Sequence, residues 1–167
     1  MTGRLTIRQT EQAVTAHLGD RPVDLPAMHA ISSLYRAASA TRNHLTSKVL
    51  RPRDLSWTGF TILWTVWIWG PLETRDVAES AAISKATLSG VVNTLESRGW
   101  IRRTPSASDG RLVELELTDA GRELMDELHP EFNRVEAELA GGLSKRRLDE
   151  MTRGLRGLVE RVEELEN

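Results

Sequence analysis

The chain has 167 residues, of which 40% are hydrophobic and 28% charged, so its composition suits one globular domain or a compact two-part unit. It contains no cysteine, which excludes disulfides, thiolate metal sites and cysteine-based redox sensing. The longest apolar run, from Phe60 to Ile68, is shorter than the ~20 residues that cross a bilayer. The N-terminus has no apolar secretion segment, so we expect a cytoplasmic protein that does not contact membranes.

The charges are unevenly distributed along the chain. The formal net charge is −2, but the segment from Ser84 to Arg111 carries five cations and two anions. This segment is therefore +3 and the remainder of the chain −5. A basic segment on an acidic body is typical of a protein that contacts phosphate with one face and stays soluble.

The first half of the chain predicts three helices. A short amphipathic helix within an N-terminal extension would bury Leu5, Ala13, Val14 and Leu18. A long helix is predicted over residues 28–50 and ends before a proline. Ser56 caps the next helix, which is apolar nearly all round and stops at Gly70-Pro71, so we expect it at the centre of the fold or of an interface.

A helix-turn-helix pattern follows. Thr74 is predicted to cap a short helix over residues 75–81, and a tight turn lies at Ala82-Ile83. Ser84 then caps a helix over residues 85–98, which Gly99 ends as a left-handed stop. Two short helices separated by three or four residues have the helix-turn-helix spacing.

The residues after this pair change from helical to alternating periodicity. Residues 100–104 and 112–117 predict two strands, joined by a polar turn over residues 105–110. A hairpin directly after a helix-turn-helix gives the winged form. Two helices follow, one from the Thr118 cap and one from Ser144. The predicted fold is mainly α with a small β-wing (α+β): a winged helix-turn-helix lobe plus a helical dimerisation region.

The last helix carries apolar residues at heptad-like spacing. Their steps of 3, 4, 3, 4 and 3 form a seam that packs against other helices. The seam residues are Leu148, Met151, Leu155, Leu158, Val162 and Leu165.

Short polar residues at the start of the second helix of the pair favour DNA recognition. They allow close approach to the major-groove floor, where Ser and Thr bond bases or phosphate and Asn favours adenine. The alternative is an ordinary capped amphipathic helix with a solvated polar face. The candidate residues on this helix are Ser84, Lys85, Ala86, Thr87, Ser89, Gly90 and Asn93.

The hairpin turn offers a second candidate contact. Asp109 and Arg111 flank Gly110, and in a strand their side chains would share a face. Asp109 would then hold the Arg111 guanidinium in one rotamer, aimed at a narrow minor groove. The alternative is a turn-forming Asp-Gly beside a chance surface arginine. The wing candidates are Arg103, Ser108, Asp109, Gly110 and Arg111.

Both candidate regions lie within one spaced pattern. It consists of Thr87-Leu88-Ser89-Gly90, Leu95-Glu96, Gly99-Trp100-Ile101, Asp109-Gly110-Arg111, and Thr118 with Gly121. Throughout its roughly 35 residues this pattern resembles the signature of the MarR (multiple antibiotic resistance regulator) family. With two predicted helices before and two after it, the resemblance extends over nearly the whole chain beyond Leu25.

The resemblance implies a triangular homodimer that binds an inverted-repeat operator in double-stranded DNA. Base contacts would come from Lys85, Thr87, Ser89 and their neighbours, and a minor-groove contact from Arg111 oriented by Asp109. We divide the chain into an N-terminal extension (1–25), a dimerisation helix (26–55), a winged DNA-binding lobe (56–121) and C-terminal dimerisation helices (122–167).

The resemblance also implies regulation by small aromatic or phenolic compounds. Two family mechanisms fit this chain poorly. Thiol-based peroxide sensing needs a cysteine, and urate binding needs a tryptophan in the N-terminal extension and an acidic residue near Thr61; the chain has neither.

Four of the five tryptophans lie between Trp57 and Trp69. Trp57, Phe60, Trp64 and Trp67 step by 3, 4 and 3, so they share one helix face. This aromatic face is either the wall of a pocket for a flat organic effector or simply core, and we favour core for most of it.

We therefore expect a sequence-specific transcriptional regulator that represses as a homodimer and responds to a ligand. Activation is an open alternative, since promoter geometry decides it. The rival hypothesis is a helical dimerisation or adaptor module whose winged lobe binds protein. We expect no enzyme, no cofactor and no metal, because no catalytic motif stands out and no two histidines have ligand spacing.

Overall fold

The computed structural model describes residues 6–19, 21–106 and 109–166. These residues contain seven α-helices and three short strands. The predicted fold class, mainly α with a small β-wing, is confirmed. The chain forms two compact units, residues 1–43 and 44–167. In chain order the elements are α1 (Ile7–Leu18), α2 (Leu25–Leu45), a π-helical turn (Thr46–Leu50), a 3-10 turn (Arg51–Arg53), α3 (Trp57–Trp69), β1 (Leu72–Glu73), α4 (Thr74–Ser80), α5 (Lys85–Ser97), β2 (Ile101–Pro105), β3 (Val113–Leu117), α6 (Asp119–Ala140) and α7 (Lys145–Glu166).

The helices of the N-terminal unit start at side-chain caps. Thr6 and Gln9 form a capping box at α1, in which the Thr6 hydroxyl accepts from the Gln9 N–H and the Gln9 side chain accepts from the Thr6 N–H. The Asp24 carboxylate accepts from the Ala27 N–H at the start of α2. This helix begins three residues before the predicted start because Pro26 lies in its first turn, where a missing N–H is tolerated. Leu5 of the predicted extension helix lies outside the described residues.

The end of the first long helix differs from the prediction. The α-helix stops at Leu45 and widens into one π-helical turn, within which Val49 and Leu50 are both buried. A 3-10 turn follows, and Asp54 ends it with a left-handed φ of 56°. Pro52 forces this break because it cannot continue the helical hydrogen-bond ladder.

A three-stranded antiparallel sheet in the order β1-β3-β2 forms the base of the lobe. In β1, Leu72 pairs with Leu115 and Glu73 with Glu114. The sequence did not predict β1, because a strand of two residues is too short to show an alternating pattern. It also moves the start of α4: Thr74 is the first helical residue and Glu73 occupies the N-cap position, instead of the predicted Thr74 cap.

The predicted turn between α4 and α5 is confirmed. Ala82 adopts a φ of 51°, and the Ile83 N–H donates to the Ala78 carbonyl. Gly99 has a φ of 72° and ends α5 as predicted, with the Trp100 N–H donating to the Leu95 carbonyl.

The start of α6 packs against the start of the wing. The Thr118 N–H donates to the Trp100 carbonyl over 3.2 Å, and the Thr118 hydroxyl donates to the Gly99 carbonyl. A Cβ at Gly121 would lie 1.9 Å from the Trp100 carbonyl oxygen, so only glycine fits there. This junction joins α5, the hairpin and α6 at one point.

The two C-terminal helices differ in burial. On α6 the core contains Met125, Leu128, Phe132 and Val135, whereas no residue of α7 is buried. Among the residues that the structure describes, no helix is long and apolar enough to span a membrane.

We expect Gly121→Ala to destabilise the protein by about 1–3 kcal/mol, because the added methyl group meets backbone that cannot rotate away. Thermal denaturation measures the effect. Gly90→Ala is the matched control: it lies in α5 with nothing within 4 Å of its added Cβ, so it gains helix propensity without a clash. Equal melting temperatures for the two variants would contradict the assigned role of Gly121.

Candidate nucleic-acid interface

Helix α5 presents an apolar face to the lobe and a polar face to solvent. Leu88, Val92 and Leu95 are buried in the core. All seven candidate contact residues on and next to this helix are exposed. They are Ser84, Lys85, Ala86, Thr87, Ser89, Gly90 and Asn93. The predicted amphipathic division of the helix is therefore present in the structure.

The N-terminus of α5 is fixed by its cap. The Ser84 hydroxyl accepts from the Thr87 N–H at 3.1 Å and lies 2.9 Å from the Thr87 hydroxyl. The helix is long enough for its dipole to attract phosphate at this end. Lys85 stands next to the cap, so positive charge is concentrated at the first turn.

Arg103 connects the wing to α5. Its guanidinium pairs with Glu96 and donates to the Asn93 side-chain oxygen over 2.7 Å. Two residues predicted to contact DNA are therefore bonded to each other. Arg103 therefore links β2 to α5, and the bond orients the Asn93 amide. Glu96 lies within the resembled pattern, but the sequence did not indicate its role.

The wing tip is organised by Asp109 in a different way from the prediction. Its carboxylate accepts from the Arg111 backbone N–H over 3.0 Å, where we predicted a pair with the Arg111 guanidinium. An aspartate at a turn commonly bonds the N–H two residues on, and this bond closes the loop. Asp109, Gly110 and Arg111 are exposed, and Ser108 lies outside the described residues.

Three of the five cations in the basic segment pair within the lobe. Arg98 pairs with Asp54, Arg102 with Glu116, and Arg103 with Glu96. Lys85 and Arg111 form no ion pair with any residue in the described ranges 6–19, 21–106 and 109–166. Among the described residues, they are consequently the cations of this segment whose charge is not neutralised by an ion pair.

A cavity of about 250 Å³ lies between α5 and the wing. Lys85, Ser89 and Arg103 line it together with the apolar side chains of Leu88 and Val113. The fold thus brings candidate residues of helix and hairpin to the two sides of one cleft.

The aromatic face of α3 packs on α6. Phe60 is buried and stacks on Phe132 with ring centroids 4.4 Å apart, and Trp57 lies 6.2 Å from the same ring. Further along, Trp64 and Trp67 are half-buried. This aromatic face therefore has a core end and a more open end.

The open end carries two polar groups from α6. The His129 ring lies 5.1 Å from Trp64 and 5.3 Å from Trp67. The Trp67 indole N–H donates to the Asp126 carboxylate over 3.1 Å. Neither polar residue was a candidate from the sequence, because nothing in the spacing places them opposite the tryptophans.

Comparison with known proteins identifies the family. The model of the MarR family matches residues 55–113, which contain α3, the helix-turn-helix and most of the wing. An uncharacterised HTH-type transcriptional regulator of Bacillus subtilis (strain 168), YwaE, is 41% identical over 142 residues, which is 83% of each chain. This protein belongs to the MarR family.

Solved structures share the fold. NadR, crystallised with 4-hydroxyphenylacetate, superposes with a TM-score of 0.69 at 22% identity and covers 83% of this chain and 99% of its own. BpsR of Bordetella bronchiseptica, whose DNA binding is regulated by 6-hydroxynicotinic acid, has a TM-score of 0.69 at 25% identity, over 78% of this chain and 98% of its own.

Family membership confirms the predicted class: the protein is a DNA-binding transcriptional regulator and not an enzyme. The structure explains several residues of the MarR signature locally. Gly99, Thr118 and Gly121 form the junction between α5, the hairpin and α6, and Asp109 closes the wing tip. These residues shape the lobe that carries the exposed candidates.

We expect Arg111→Ala to weaken specific DNA binding by about 1–3 kcal/mol, as loss of a specific arginine contact does. Lys85→Ala should weaken binding to all sequences alike and reduce the salt dependence, because it removes a phosphate contact. Fluorescence anisotropy with specific and scrambled duplexes at several salt concentrations separates the two effects. The control is Arg153→Ala on α7, which removes an equal charge outside the lobe. Wild-type affinity in folded Arg111→Ala would exclude the wing from DNA binding.

Proposed function

We propose that this MarR-family protein is a ligand-responsive repressor that binds an inverted-repeat operator as a homodimer. The observation that carries the proposal is the exposure of the apolar residues of α7. This helix has a regular apolar seam and no buried residue. Met151, Leu155, Leu158 and Val162 are 38–52% exposed and Leu165 is 69% exposed.

An exposed seam of this length favours association, because burying apolar side chains against a second helix releases ordered water. A second copy of this chain supplies an identical seam, and two-fold pairing brings the same residues of both copies together. We assign dimerisation to residues 26–55 and 122–167 and DNA binding to residues 56–121.

Two-fold symmetry determines the form of the operator. Each copy presents one α5 and one wing, so a symmetric dimer reads two half-sites in inverted orientation. Their centres would lie about one helical turn (~34 Å) apart along the DNA. Repression follows where such an operator overlaps a promoter, since the bound dimer then blocks access to it.

The open end of the aromatic face is the site we assign to an effector. Trp64 and Trp67 supply flat apolar walls, and His129 supplies a polar group beside them. NadR and BpsR bind or respond to small hydroxylated aromatic acids, whose rings match the tryptophan walls and whose hydroxyl groups match His129 and the Asp126 carboxylate. Helix α3 ends at Trp69, directly before β1 and α4, so a ligand against α3 would shift α4 and the α5 that follows it.

We expect Leu155→Glu to convert the dimer to monomers at micromolar concentration, because it places a charge in the α7 seam. Analytical ultracentrifugation measures the change. Arg153→Glu introduces the same side chain on the opposite face of α7 and should leave the dimer intact. Wild-type protein that sediments as a folded monomer would contradict the proposed homodimer.

We expect 4-hydroxyphenylacetate or 6-hydroxynicotinate to quench tryptophan fluorescence and to reduce operator affinity by about 5–150-fold, the typical range of coupling between two sites. Trp64→Leu should abolish the quenching and the loss of affinity together. Trp69→Leu is the matched control, because Trp69 lies on the same helix and is 72% exposed. Quenching without any change in operator affinity would exclude regulation through this site.

Selection of bound genomic fragments followed by footprinting tests the proposal as a whole. The expected result is an inverted repeat near a promoter and reduced transcription of the adjacent gene in a reporter assay. Affinity should fall steeply with salt, since phosphate contacts release counterions. Binding that is insensitive to salt, or recovery of proteins instead of DNA, would favour the adaptor function.

A further inference from the structure

The C-terminal end of α5, which we call the recognition helix, is held by three contacts of one arginine, Arg98. Arg98 caps α5, and its guanidinium pairs with the Asp54 carboxylate at 2.5 Å and donates to the Arg53 carbonyl at 3.3 Å. The same guanidinium lies 4.9 Å from the centre of the Trp100 ring. The guanidinium is therefore confined by charge, by hydrogen bonding and by a ring face.

The Arg53 carbonyl accepts from Arg98, and the Arg53 side chain contacts α6. Its guanidinium pairs with Glu131 at 2.8 Å and donates to the Val49 carbonyl at 3.2 Å. Both side chains of the pair are about two-thirds covered, at 27% and 33% exposure. Solvent therefore screens this pair less than the exposed ion pairs of α6 and α7.

The backbone between these contacts is tightly turned. The Asp54 N–H donates to the Arg51 carbonyl, the Leu55 N–H donates to the Leu50 carbonyl, and Asp54 has a left-handed φ of 56°. Consecutive residues therefore reach different elements: the Arg53 side chain contacts α6 and the Asp54 side chain contacts Arg98 of α5. We call Arg53, Asp54, Arg98 and Glu131 the loop clamp.

We propose that the loop clamp positions the recognition helix, so that operator affinity depends on Glu131 of α6. This inference rests on the proposed binding of a specific operator. Arg53 and Asp54 are positioning residues: they hold α5 through Arg98 and act on DNA through it. Any displacement of α6 is transmitted to the end of α5 by the Glu131–Arg53 pair and the Arg53–Arg98 hydrogen bond.

The direction in which operator affinity changes when Glu131 is neutralised distinguishes a positioning role from a purely electrostatic one. Glu131 is an anion, so its removal lowers the negative charge of the protein and, by charge alone, strengthens binding to every DNA sequence. Positioning predicts the opposite result for the operator, because an unpaired Arg53 no longer fixes the loop that holds Arg98. Glu138→Gln is the matched control, since it removes the same charge from the same helix at an exposed ion pair with Arg134.

The experiment measures the dissociation constants of full-length wild type, Glu131→Gln, Asp54→Asn, their double variant and Glu138→Gln. Each protein is titrated against the selected operator and against a scrambled duplex of equal length. We expect Glu131→Gln to weaken operator binding by about two- to tenfold, a range typical of residues that couple two sites, and to leave scrambled-duplex binding at the level of Glu138→Gln.

The double variant tests whether both residues act through one connection. The two losses should be less than additive, because Glu131→Gln frees the loop from α6 and Asp54→Asn loosens the hold of the same loop on Arg98, so both weaken one series of contacts. Melting temperatures identify any variant that loses operator binding through unfolding. A charge-reversed variant keeps the proposal testable if a single variant unfolds. Arg53→Glu combined with Glu131→Arg should restore the ion pair and recover most of the operator affinity that Glu131→Gln loses.

Three results would overturn the clamp: Glu131→Gln binding the operator as Glu138→Gln does, additive losses in the double variant, or no recovery in the charge-reversed pair. A wild-type protein that binds operator and scrambled duplex equally would instead contradict the proposed function. The two failures are therefore distinguishable.

Discussion

The close approach of the α6 N-terminus to the Trp100 carbonyl is the contact on which the geometry of the lobe depends. Gly121 permits it by lacking a Cβ, and Thr118 secures it with two hydrogen bonds to consecutive carbonyls, those of Gly99 and Trp100. Trp100 precedes β2 and Thr118 follows β3, so the same contact closes the base of the hairpin. Helix α5 ends at this point as well. A change here would displace α5 and the wing together.

The charged residues of the lobe stabilise this geometry before they contact any partner. Arg98 connects α5 to the loop before α3, Arg102 bridges β2 and β3, and Arg103 connects the wing to α5. Asp54 and Glu116 lie outside the counted segment, so they lower the positive potential that the sequence count implies. The basic segment is consequently less basic at its surface than its net charge of +3 indicates, and its unpaired positive charge among the described residues lies at Lys85 and Arg111.

Sequence reasoning succeeded where the pattern is local and failed where partners are distant in sequence. The Ser84 cap, the left-handed Gly99 and the polar face of α5 all follow from spacings within a few residues. The π-helical turn before Arg51 and the two-residue strand β1 have no period of their own, since they exist only through packing and sheet pairing.

The contacts of the candidate site residues follow the same division between local patterns and distant partners. Exposure of the α5 candidates follows from helical periodicity. The Arg103 contacts with Asn93 and Glu96 join a strand to a helix, and Arg53 reaches Glu131 across 78 positions of the chain. No spacing rule predicts such pairs. At Asp109 the residue was identified but its bond was wrong, because in a tight turn the backbone N–H of Arg111 competes successfully with its mobile guanidinium.

Among the described residues of the basic segment, the small number of unpaired cations, Lys85 and Arg111, bears on how a MarR-family protein of negative net charge would discriminate between DNA sequences. Each neutralised phosphate adds about 0.9 to the salt exponent of binding, so Lys85 and Arg111 contribute modestly in one lobe. The acidic remainder of the chain opposes further non-specific attraction. In the proposed homodimer, specific affinity would therefore come from base contacts of the short polar residues on α5 and from engaging two half-sites at once. Linking two lobes makes the second contact intramolecular and raises affinity without added charge. In the proposed dimer, an acidic remainder of the chain and few unpaired cations on α5 and the wing would thus weaken binding to random sequence more than binding to a matched pair of half-sites.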